Sequence, residues 1–433
     1  MNEVIVGIVG LFILLALFLT GIELGFAMAI IGFFGLAYLK SVDTALNFLA
    51  TDVFEVFSSY GLFVIPLFIL MGQISFNAGI AKRLYGMAHK FIGNIPGGLA
   101  IATVAGATAF KAICGSTPAT TATFASVAVP EMDAYHYDRK LSTGVVTIVG
   151  TLGNLIPPSV ILIILGLITE QSIGRLFLAG LVPGLLIAIF FVIVIVGWCK
   201  ITPSLGPKGG HFTWNEKMRS LPEVIWPILI FVVVIGGILK GFFTPTEAGS
   251  VGTFAVLLLS VAKRDLNFRA YVASVADALR TACMVFVLIA GSTVMGHFLA
   301  TTKIPIIAAD WIANLPLPPW LIMVFIILIF ELGGSFIDDL AFMILAMPIF
   351  FPAAAKLGFD PIWFCIMISM TVMIGIVIPP VASSVFIVKN ITKEPMGVIY
   401  LGVTPFLISI IFCMALLFIF PQICLFLPNM FVR

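Results

Sequence analysis

Long apolar runs, separated by short polar stretches, fill the chain from one end to the other. Runs of about 18 residues or more can cross a bilayer as helices, so the pattern predicts an all-α polytopic membrane protein. In the first half the runs predict a Gly/Ala/Thr-rich hairpin near 97–130 and spans near 4–20, 22–39, 60–78, 143–169 and 177–198. In the second half they predict a hairpin near 319–353 and spans near 224–240, 247–262, 281–300, 361–388 and 399–420.

Two of the apolar runs are interrupted by a pair of prolines. Residues 153–158 read Gly-Asn-Leu-Ile-Pro-Pro, and residues 375–380 read Gly-Ile-Val-Ile-Pro-Pro. Adjacent prolines remove two backbone donors and clash with the preceding turn, so neither run forms a continuous helix. In lipid, broken backbone is tolerated only where it is buried in protein or lines a wet cavity. Interrupted spans at corresponding places in two halves therefore point to a transporter's binding site.

The same interval relates other landmarks of the two halves. An offset of 222 residues places Gly153, Ile156, Pro157, Pro158, Gly180 and Pro183 on Gly375, Ile378, Pro379, Pro380, Gly402 and Pro405. An offset of 218 places Gly115 and Pro130 on Gly333 and Pro348. The series predicts two repeats, each with five crossings and one re-entrant hairpin. Five is odd, so the second repeat is inverted relative to the first.

Composition and charge agree with this membrane topology. The chain is 61% apolar and only 10% charged, too little polar residue to cover a water-soluble fold. With the N-terminus outside, 15 of the 22 Lys and Arg fall in inside loops and 6 outside, with Lys111 left within the membrane. The positive-inside rule selects this orientation. The first run lacks the basic region and cleavage site of a signal peptide, so it counts as a span, and residues 265–280 are interpreted as an interfacial helix.

Several polar or reactive residues have a structural explanation. Thr20 with Glu23, and Thr244 with Glu247, fit the capping box, in which the threonine caps a helix and the glutamate caps it back. Pro245 suits the first helical position. We therefore interpret both glutamates as helix starts and not as ion ligands. The six cysteines are scattered without a CxxC pair, which favours small buried hydrophobes over disulfides or a metal site.

The hairpin tips carry the strongest candidate chemistry. Residues 114–118 read Cys-Gly-Ser-Thr-Pro, and residues 333–339 read Gly-Gly-Ser-Phe-Ile-Asp-Asp. A polar turn that satisfies its own backbone through hydroxyls is the structural alternative. Two tips and two breaks in matching order, however, bring carbonyls and hydroxyls to mid-membrane, as binding of a hard cation such as sodium requires, and hairpin N-termini favour an anion. Asp338, with Asp339 in second place, is the predicted charged ligand of the second cation site.

Other polar residues near the breaks are candidates for substrate binding. Asn154 lies in the first break, and Ser383 and Ser384 follow the second. Lys111 and Glu331 lie just before the tips, where either pairs with a neighbour or faces a boundary between moving parts. The chain has no HExxH motif, nucleophile–base pair or cysteine–histidine cluster, so an enzyme is not supported.

These motifs together resemble the large membrane subunit of a TRAP transporter. The resemblance is carried by residues 115–120, Gly-Ser-Thr-Pro-Ala-Thr, by 150–159, Gly-Thr-Leu-Gly-Asn-Leu-Ile-Pro-Pro-Ser, by 244–248, and by 337–338 with 348–350. It implies sodium-driven uptake of an organic anion that a periplasmic binding protein delivers at the bacterial inner membrane. It also implies a partner, a small membrane subunit of about four helices, and an elevator mechanism.

The resemblance also implies site residues. One sodium site would use Gly115, Ser116, Thr117, Gly153 and Pro157. The other sodium site would use Gly333, Gly334, Ser335, Asp338, Gly375, Ile378 and Pro379. The substrate would meet Ser116, Asn154, Ser383 and Ser384. Asn154 and the serine pair depart from the family's usual pattern, so a carboxylate is the default substrate and a sulfonate an alternative.

We therefore predict a secondary active transporter whose moving parts, 60–200 and 281–420, slide against a scaffold of 1–59 and 224–280. A linker at 201–223 joins the repeats, and 421–433 forms a tail. A stand-alone ion-coupled anion carrier of similar inverted-repeat build is the first alternative, because it needs no partner. A channel is another alternative, but paired hairpins with mid-membrane breaks favour alternating access.

Overall fold

The structure is a computed structural model that describes residues 3–18 and 20–431, and every regular element in those ranges is helical. Residues 1, 2, 19, 432 and 433, which belong to the predicted first part, first span and tail, lie outside the described residues. The helices of the first half are α1 (Glu3–Phe18), α2 (Leu24–Leu39), α3 (Val42–Ser58), α4 (Val64–Asn77), α5 (Ile80–Ile92), α6 (Gly98–Lys111), α7 (Thr117–Ala134), α8 (Arg139–Val149), α9 (Val160–Ile168), α10 (Ile173–Ile201) and α11 (Trp214–Ser220). Those of the second half are α12 (Pro222–Leu239), α13 (Pro245–Ala262), α14 (Phe268–Thr302), α15 (Ile304–Ala313), α16 (Pro319–Phe336), α17 (Asp339–Lys356), α18 (Pro361–Gly375), α19 (Ser383–Thr392), α20 (Met396–Ile419) and α21 (Gln422–Phe431).

The prediction of an all-helical membrane protein is confirmed. In the described part of the chain, eight helical stretches are long and apolar enough to cross a bilayer. They are Tyr60–Asn77, Ile173–Ile201, Trp214–Leu239, Pro245–Ala262, Phe268–Thr302, Pro319–Phe336, Asp339–Lys356 and Met396–Ile419. The predicted spans near 4–20 and 22–39 are the shorter helices α1 and α2, of 16 residues each.

The two halves present their elements in the same order. Each has two leading helices, a long helix, a hairpin, an interrupted helix pair and a long closing helix. The hairpins are α6–α7 and α16–α17, and the interrupted pairs are α8–α9 and α18–α19. This order agrees with the predicted repeat, while the inversion of one repeat relative to the other stays a prediction.

Both Pro-Pro runs are interrupted, as the sequence predicts. α8 ends at Val149 and passes through a 3-10 turn, Gly150–Asn154, before α9 begins after Ser159. Because Ser159 accepts a hydrogen bond from the backbone amide of Leu162, it caps the new helix. In the second half α18 ends at Gly375 and α19 begins at Ser383. The peptide bonds within both proline pairs are cis.

One helix differs from the prediction. The interfacial helix expected at 265–280 and the span expected at 281–300 form a single helix, α14, of 35 residues. The stretch around Arg280 contains neither glycine nor proline, so nothing interrupts the backbone hydrogen bonds there. The first half is divided at the matching place, because Ser59 has an extended backbone between α3 and a short turn that leads into α4.

Four short helices were not predicted as helices, namely α3, α5, α15 and α21. α5 is strongly amphipathic, and a search for long apolar runs does not detect such a helix. Its Arg83 bridges Glu223 at 3.0 Å and Asp265 at 2.8 Å, and Lys263 also reaches Glu223 at 2.9 Å. This ionic cluster ties α5 to the start of α12 and to the loop after α13.

The two predicted capping boxes have different outcomes. At α13 the backbone amide of Thr244 donates to the Glu247 carboxylate at 2.8 Å, and the Glu247 amide donates back to the Thr244 hydroxyl at 3.3 Å. The prediction for Thr20 is wrong. Its hydroxyl donates to the Leu17 carbonyl, and α2 begins after Glu23 without a side-chain cap. All six cysteines are free, and five are buried, as predicted; Cys283 is exposed.

Candidate functional site

The first hairpin tip is built around Ser116. α6 ends at Lys111 and α7 begins at Thr117, so Ser116 takes the N-cap position, and its hydroxyl accepts from the Ala119 amide at 3.3 Å. The Ser116 carbonyl accepts a hydrogen bond of 2.9 Å from the Thr120 hydroxyl. The tip therefore satisfies part of its own backbone, as the structural alternative requires.

The first tip also lies directly against the first break. A Cβ placed on Gly115 would overlap the carbonyl oxygen of Pro158. The Thr117 hydroxyl donates to the Asn154 side-chain oxygen at 3.0 Å. Pro157 is buried behind this contact. The structure thus brings together the residues that the sequence assigned to the first site, and we call this contact the first junction.

Asn154 is the hub of the first junction. Its carbonyl, which the broken helix leaves without a helical donor, accepts from the hydroxyls of Ser159 and Ser369, both at 2.8 Å. Its side-chain oxygen is held by Thr117. Its side-chain nitrogen is buried and has no hydrogen-bond partner among the described residues. That nitrogen is a donor available to an anion.

Lys111 extends into the first junction. Its side chain is fully buried, and its ammonium donates to the Ser116 carbonyl at 3.1 Å. The ammonium also lies against Gly153, where a Cβ would overlap Nζ. Among the described residues no carboxylate lies within 4.0 Å of it. The sequence placed Lys111 on the hairpin arm but did not place its charge between tip and break.

The second hairpin tip touches the second break in the same manner. The Val381 amide donates to the Ser335 carbonyl at 3.2 Å. Asp338 is the N-cap of α17, and its carboxylate accepts from the Ala341 amide at 3.2 Å. Gly333 lies against the ring of Phe342. We call the contact between this tip and the second break the second junction.

Asp339 supplies the carboxylate that lies within the second junction. The residue is 6% exposed, and a Cβ placed on Gly375 or on Gly334 would meet its oxygen. Asp338, the first choice of the sequence analysis, is exposed at the surface of the tip. The difference arises because α17 begins at Asp339, which directs the capping residue away from the break and the next residue toward it.

Glu331 and the remaining predicted residues surround this junction. Both carboxylate oxygens of Glu331 are buried without a hydrogen-bond partner in the described chain, and Glu331 interacts electrostatically with Asp339. Ile378 is half-buried, and Pro379 is exposed. Neither side chain offers an oxygen ligand, so their contribution is the shape of the break.

Ser383 and Ser384 begin α19, which packs against α7 of the first hairpin. The Ser384 amide donates to the Ile376 carbonyl at 3.1 Å, which closes the second break. Its hydroxyl is buried and unpartnered among the described residues. Ser383 is half-buried at the start of the helix. Ser384 is therefore the better placed of the two to donate to a buried ligand.

The two junctions carry opposite charge. The first holds the Lys111 ammonium and the second the Asp339 carboxylate, each against the glycine that opens its break. Within the described ranges, three or more His, Cys, Asp or Glu residues nowhere form a group that could hold a metal ion. The arrangement can bind an anion through unpartnered donors and a cation through a carboxylate and free backbone carbonyls.

A sequence model of one protein family matches this chain over residues 11–423. The family is described as the DctM component of the tripartite ATP-independent periplasmic transporter. The matched range contains both hairpins and both breaks.

Individual proteins are also similar. The C4-dicarboxylate TRAP transporter large permease protein DctM of Pseudomonas aeruginosa is 33% identical over 382 residues, covering 88% of this chain and 89% of that protein. The sialic acid TRAP transporter large permease protein SiaM of Vibrio cholerae is 31% identical over 425 residues, covering 96% of this chain and 97% of that protein. The Alcanivorax borkumensis YdaH transporter has a similar fold, with a TM-score of 0.64 at 13% identity over 89% of this chain and 90% of that one.

Proposed function

Because this chain belongs to the DctM family of tripartite ATP-independent periplasmic transporters, we propose that it is the large subunit of a sodium-coupled importer of a small organic anion. The single observation that carries the proposal beyond the family is the meeting of each hairpin tip with its break. Broken backbone inside a membrane protein supplies free carbonyls and amides, and opposed tips place them around one space.

The unpartnered donors support an anionic substrate. The Asn154 side-chain nitrogen and the Ser384 hydroxyl are both buried without a partner among the described residues. Buried polar groups without a partner are costly, so a ligand that accepts from them would recover the lost hydrogen bonds. The two relatives are named for a C4-dicarboxylate and for sialic acid. Both names denote acids, so a carboxylate is the proposed substrate, with a sulfonate as the alternative.

The second junction supports sodium binding. Sodium is a hard cation that takes oxygen ligands, and Asp339 brings a buried carboxylate against the start of the second break. The carbonyls left free by the tip and the break would complete the ligand set. When bound there, sodium would supply the ion gradient's driving force.

The packing refines the proposed division into scaffold and moving parts. α4 packs along α13, and α14 packs along α2. The Thr253 hydroxyl donates to the Leu67 carbonyl at 2.8 Å, and the Asn77 amide donates to the Ser274 hydroxyl at the same distance. We therefore propose that α4 and α14 remain with the scaffold, and that the elevator part of each repeat begins at α5 and α15 instead of at residues 60 and 281.

Family membership implies two partners, a small membrane subunit and a periplasmic binding protein. The described chain exposes many large apolar side chains on the helices of the proposed scaffold, such as Phe12, Phe34 and Val232. Lipid covers such surfaces, and a small helical subunit packed against the scaffold would share them. The proposed location is the bacterial inner membrane.

Uptake into proteoliposomes tests the proposal. The chain is reconstituted with its small subunit, and uptake of radiolabelled succinate, sialic acid and isethionate is measured with and without binding protein and an inward sodium gradient. We expect uptake of at least one anion that requires both. Undiminished uptake when potassium replaces sodium would exclude sodium coupling, and full activity of the single chain alone would favour a stand-alone carrier.

A further inference from the structure

A fully buried lysine within the membrane needs compensation for its charge. Lys111 is 0% exposed, and removing an ammonium from water without a partner is very unfavourable. No carboxylate of the described chain lies within 4.0 Å of it. Its observed partner is the carbonyl oxygen of Ser116 at 3.1 Å. The ammonium is therefore held by the kind of oxygen that would hold a sodium ion.

The ammonium lies where the sequence motifs place the first sodium ion. The predicted site joins the tip at 115–117 to the break at 153–157, and Nζ lies between the Ser116 carbonyl and Gly153. The fit at Gly153 is so close that a single Cβ there would overlap Nζ. A sodium ion on the same carbonyl would lie about 4 Å or less from the ammonium. Two unit charges at that distance repel by about 4 kcal/mol at an effective dielectric constant of about 20.

The Ser116 carbonyl is also saturated with donors. Besides Lys111, it accepts from the Thr120 hydroxyl at 2.9 Å and from the Thr120 amide at 3.2 Å. A carbonyl oxygen has two lone pairs, so little acceptor capacity is left for a metal ion. The residues of the first junction do not fit a sodium ion while Lys111 occupies it.

The second junction has the opposite charge. Gly375 corresponds to Gly153 at the 222-residue offset, and it faces the Asp339 carboxylate instead of an ammonium. Asp339 has no ion-pair partner within 4.0 Å in the described ranges. A buried carboxylate without a counter-charge favours binding of a cation. The two halves thus differ in the sign of the group that each break meets.

We propose that the Lys111 ammonium takes the place of a coupling cation at the first junction, so that this transporter binds sodium only at the second junction, through Asp339. The inference rests on the proposed sodium coupling and specifies its stoichiometry. It also assigns Lys111 a role at the cation site, in place of attraction of the substrate. Removal of the lysine side chain would vacate the first junction and restore a second sodium site.

Equilibrium binding of radioactive sodium to the full chain in lipid nanodiscs tests the inference. We expect the wild-type protein to bind one sodium ion, Asp339→Asn none and Lys111→Ala two. Lys389→Met, which neutralises an exposed lysine of α19, serves as the charge control and should bind one. The midpoint of thermal unfolding as a function of sodium concentration provides an independent readout for each variant.

The outcomes separate this inference from the proposed function. Two sodium ions in the wild-type protein would overturn the role of Lys111 and leave sodium coupling intact, and this result does not depend on whether any variant folds. One sodium ion in both the wild type and Lys111→Ala would also overturn it. Absence of sodium binding from the wild type and from a folded Lys111→Ala variant would instead refute sodium coupling itself.

Discussion

The Ser369 hydroxyl in α18 donates a hydrogen bond of 2.8 Å to the main-chain carbonyl of Asn154 in the first break. The two residues belong to different halves of the chain, and both are buried. A carbonyl that its own helix cannot satisfy is therefore satisfied by the other repeat. This bond couples the geometry of the first junction to the broken helix pair of the second half.

Ser369→Ala tests that coupling. The Asn154 carbonyl would keep only its bond from Ser159, so we expect the free energy of unfolding to fall by about 1 kcal/mol. The measurement is the thermal midpoint in detergent. Ser409→Ala is the matched control, because that buried hydroxyl bonds back to Phe406 within its own helix. An equal effect of both variants would contradict a specific role for the bond between the halves.

Asp339→Asn and Asp338→Asn separate the two neighbouring carboxylates of the second tip. Asparagine caps a helix about as well as aspartate, so Asp338→Asn should leave stability and transport nearly unchanged. Asp339→Asn removes the charge that faces Gly375, so the sodium dependence of uptake should be lost. Sodium titrations of uptake distinguish the variants. Loss of sodium dependence in Asp338→Asn alone would restore the assignment favoured by the sequence.

Gly153→Ala introduces the Cβ that would overlap the Lys111 ammonium. Overpacking of this kind costs about 1–3 kcal/mol, so the thermal midpoint and transport should both fall. The double variant Gly153→Ala with Lys111→Ala should recover stability relative to the sum of the single effects, because the space is then free. Gly197→Ala is the control, since a Cβ there meets nothing within 4 Å. Additive effects of the two site substitutions would show that the residues do not share this space.

Asn154→Leu removes the unpartnered amide nitrogen that we assign to the anion. A hydrogen bond to a charged group contributes about 1.5–3 kcal/mol, so the KM for the anion should rise about tenfold or more while sodium binding persists. Asn390→Leu, on the exposed face of α19, should leave KM unchanged. An unchanged KM in Asn154→Leu would remove this residue from the substrate site.

The breaks and tips are predictable from the sequence because their cause is local. Proline removes a donor wherever it stands, and glycine with serine and threonine marks a polar turn, whatever packs around it. Amphipathic α5 and the continuity of α14 were missed because the analysis weighed long apolar runs and treated a cluster of charges as a boundary. The order of elements in each half could thus be read from residue types alone.

The distribution of charge between the junctions could not be predicted in this way. Whether Asp338 or Asp339 enters the site depends on the residue at which α17 begins, and a shift of one residue turns a side chain by about 100° on a helix. The contact of Lys111 with Gly153 joins segments that only the tertiary fold brings together. Sequence spacing supplied both partners without showing that they meet.

The division at Ser59 gives the two halves different mechanical properties. α14, with 35 residues, extends for about 52 Å as one rod, whereas α3 and α4 are separate segments with extended backbone between them. A rod transmits rotation along its whole length, while a jointed pair lets one segment swing as the other stays fixed. Bending between scaffold segments would therefore concentrate at Ser59 in the first half, and the second half would act as a stiff lever against which that joint opens.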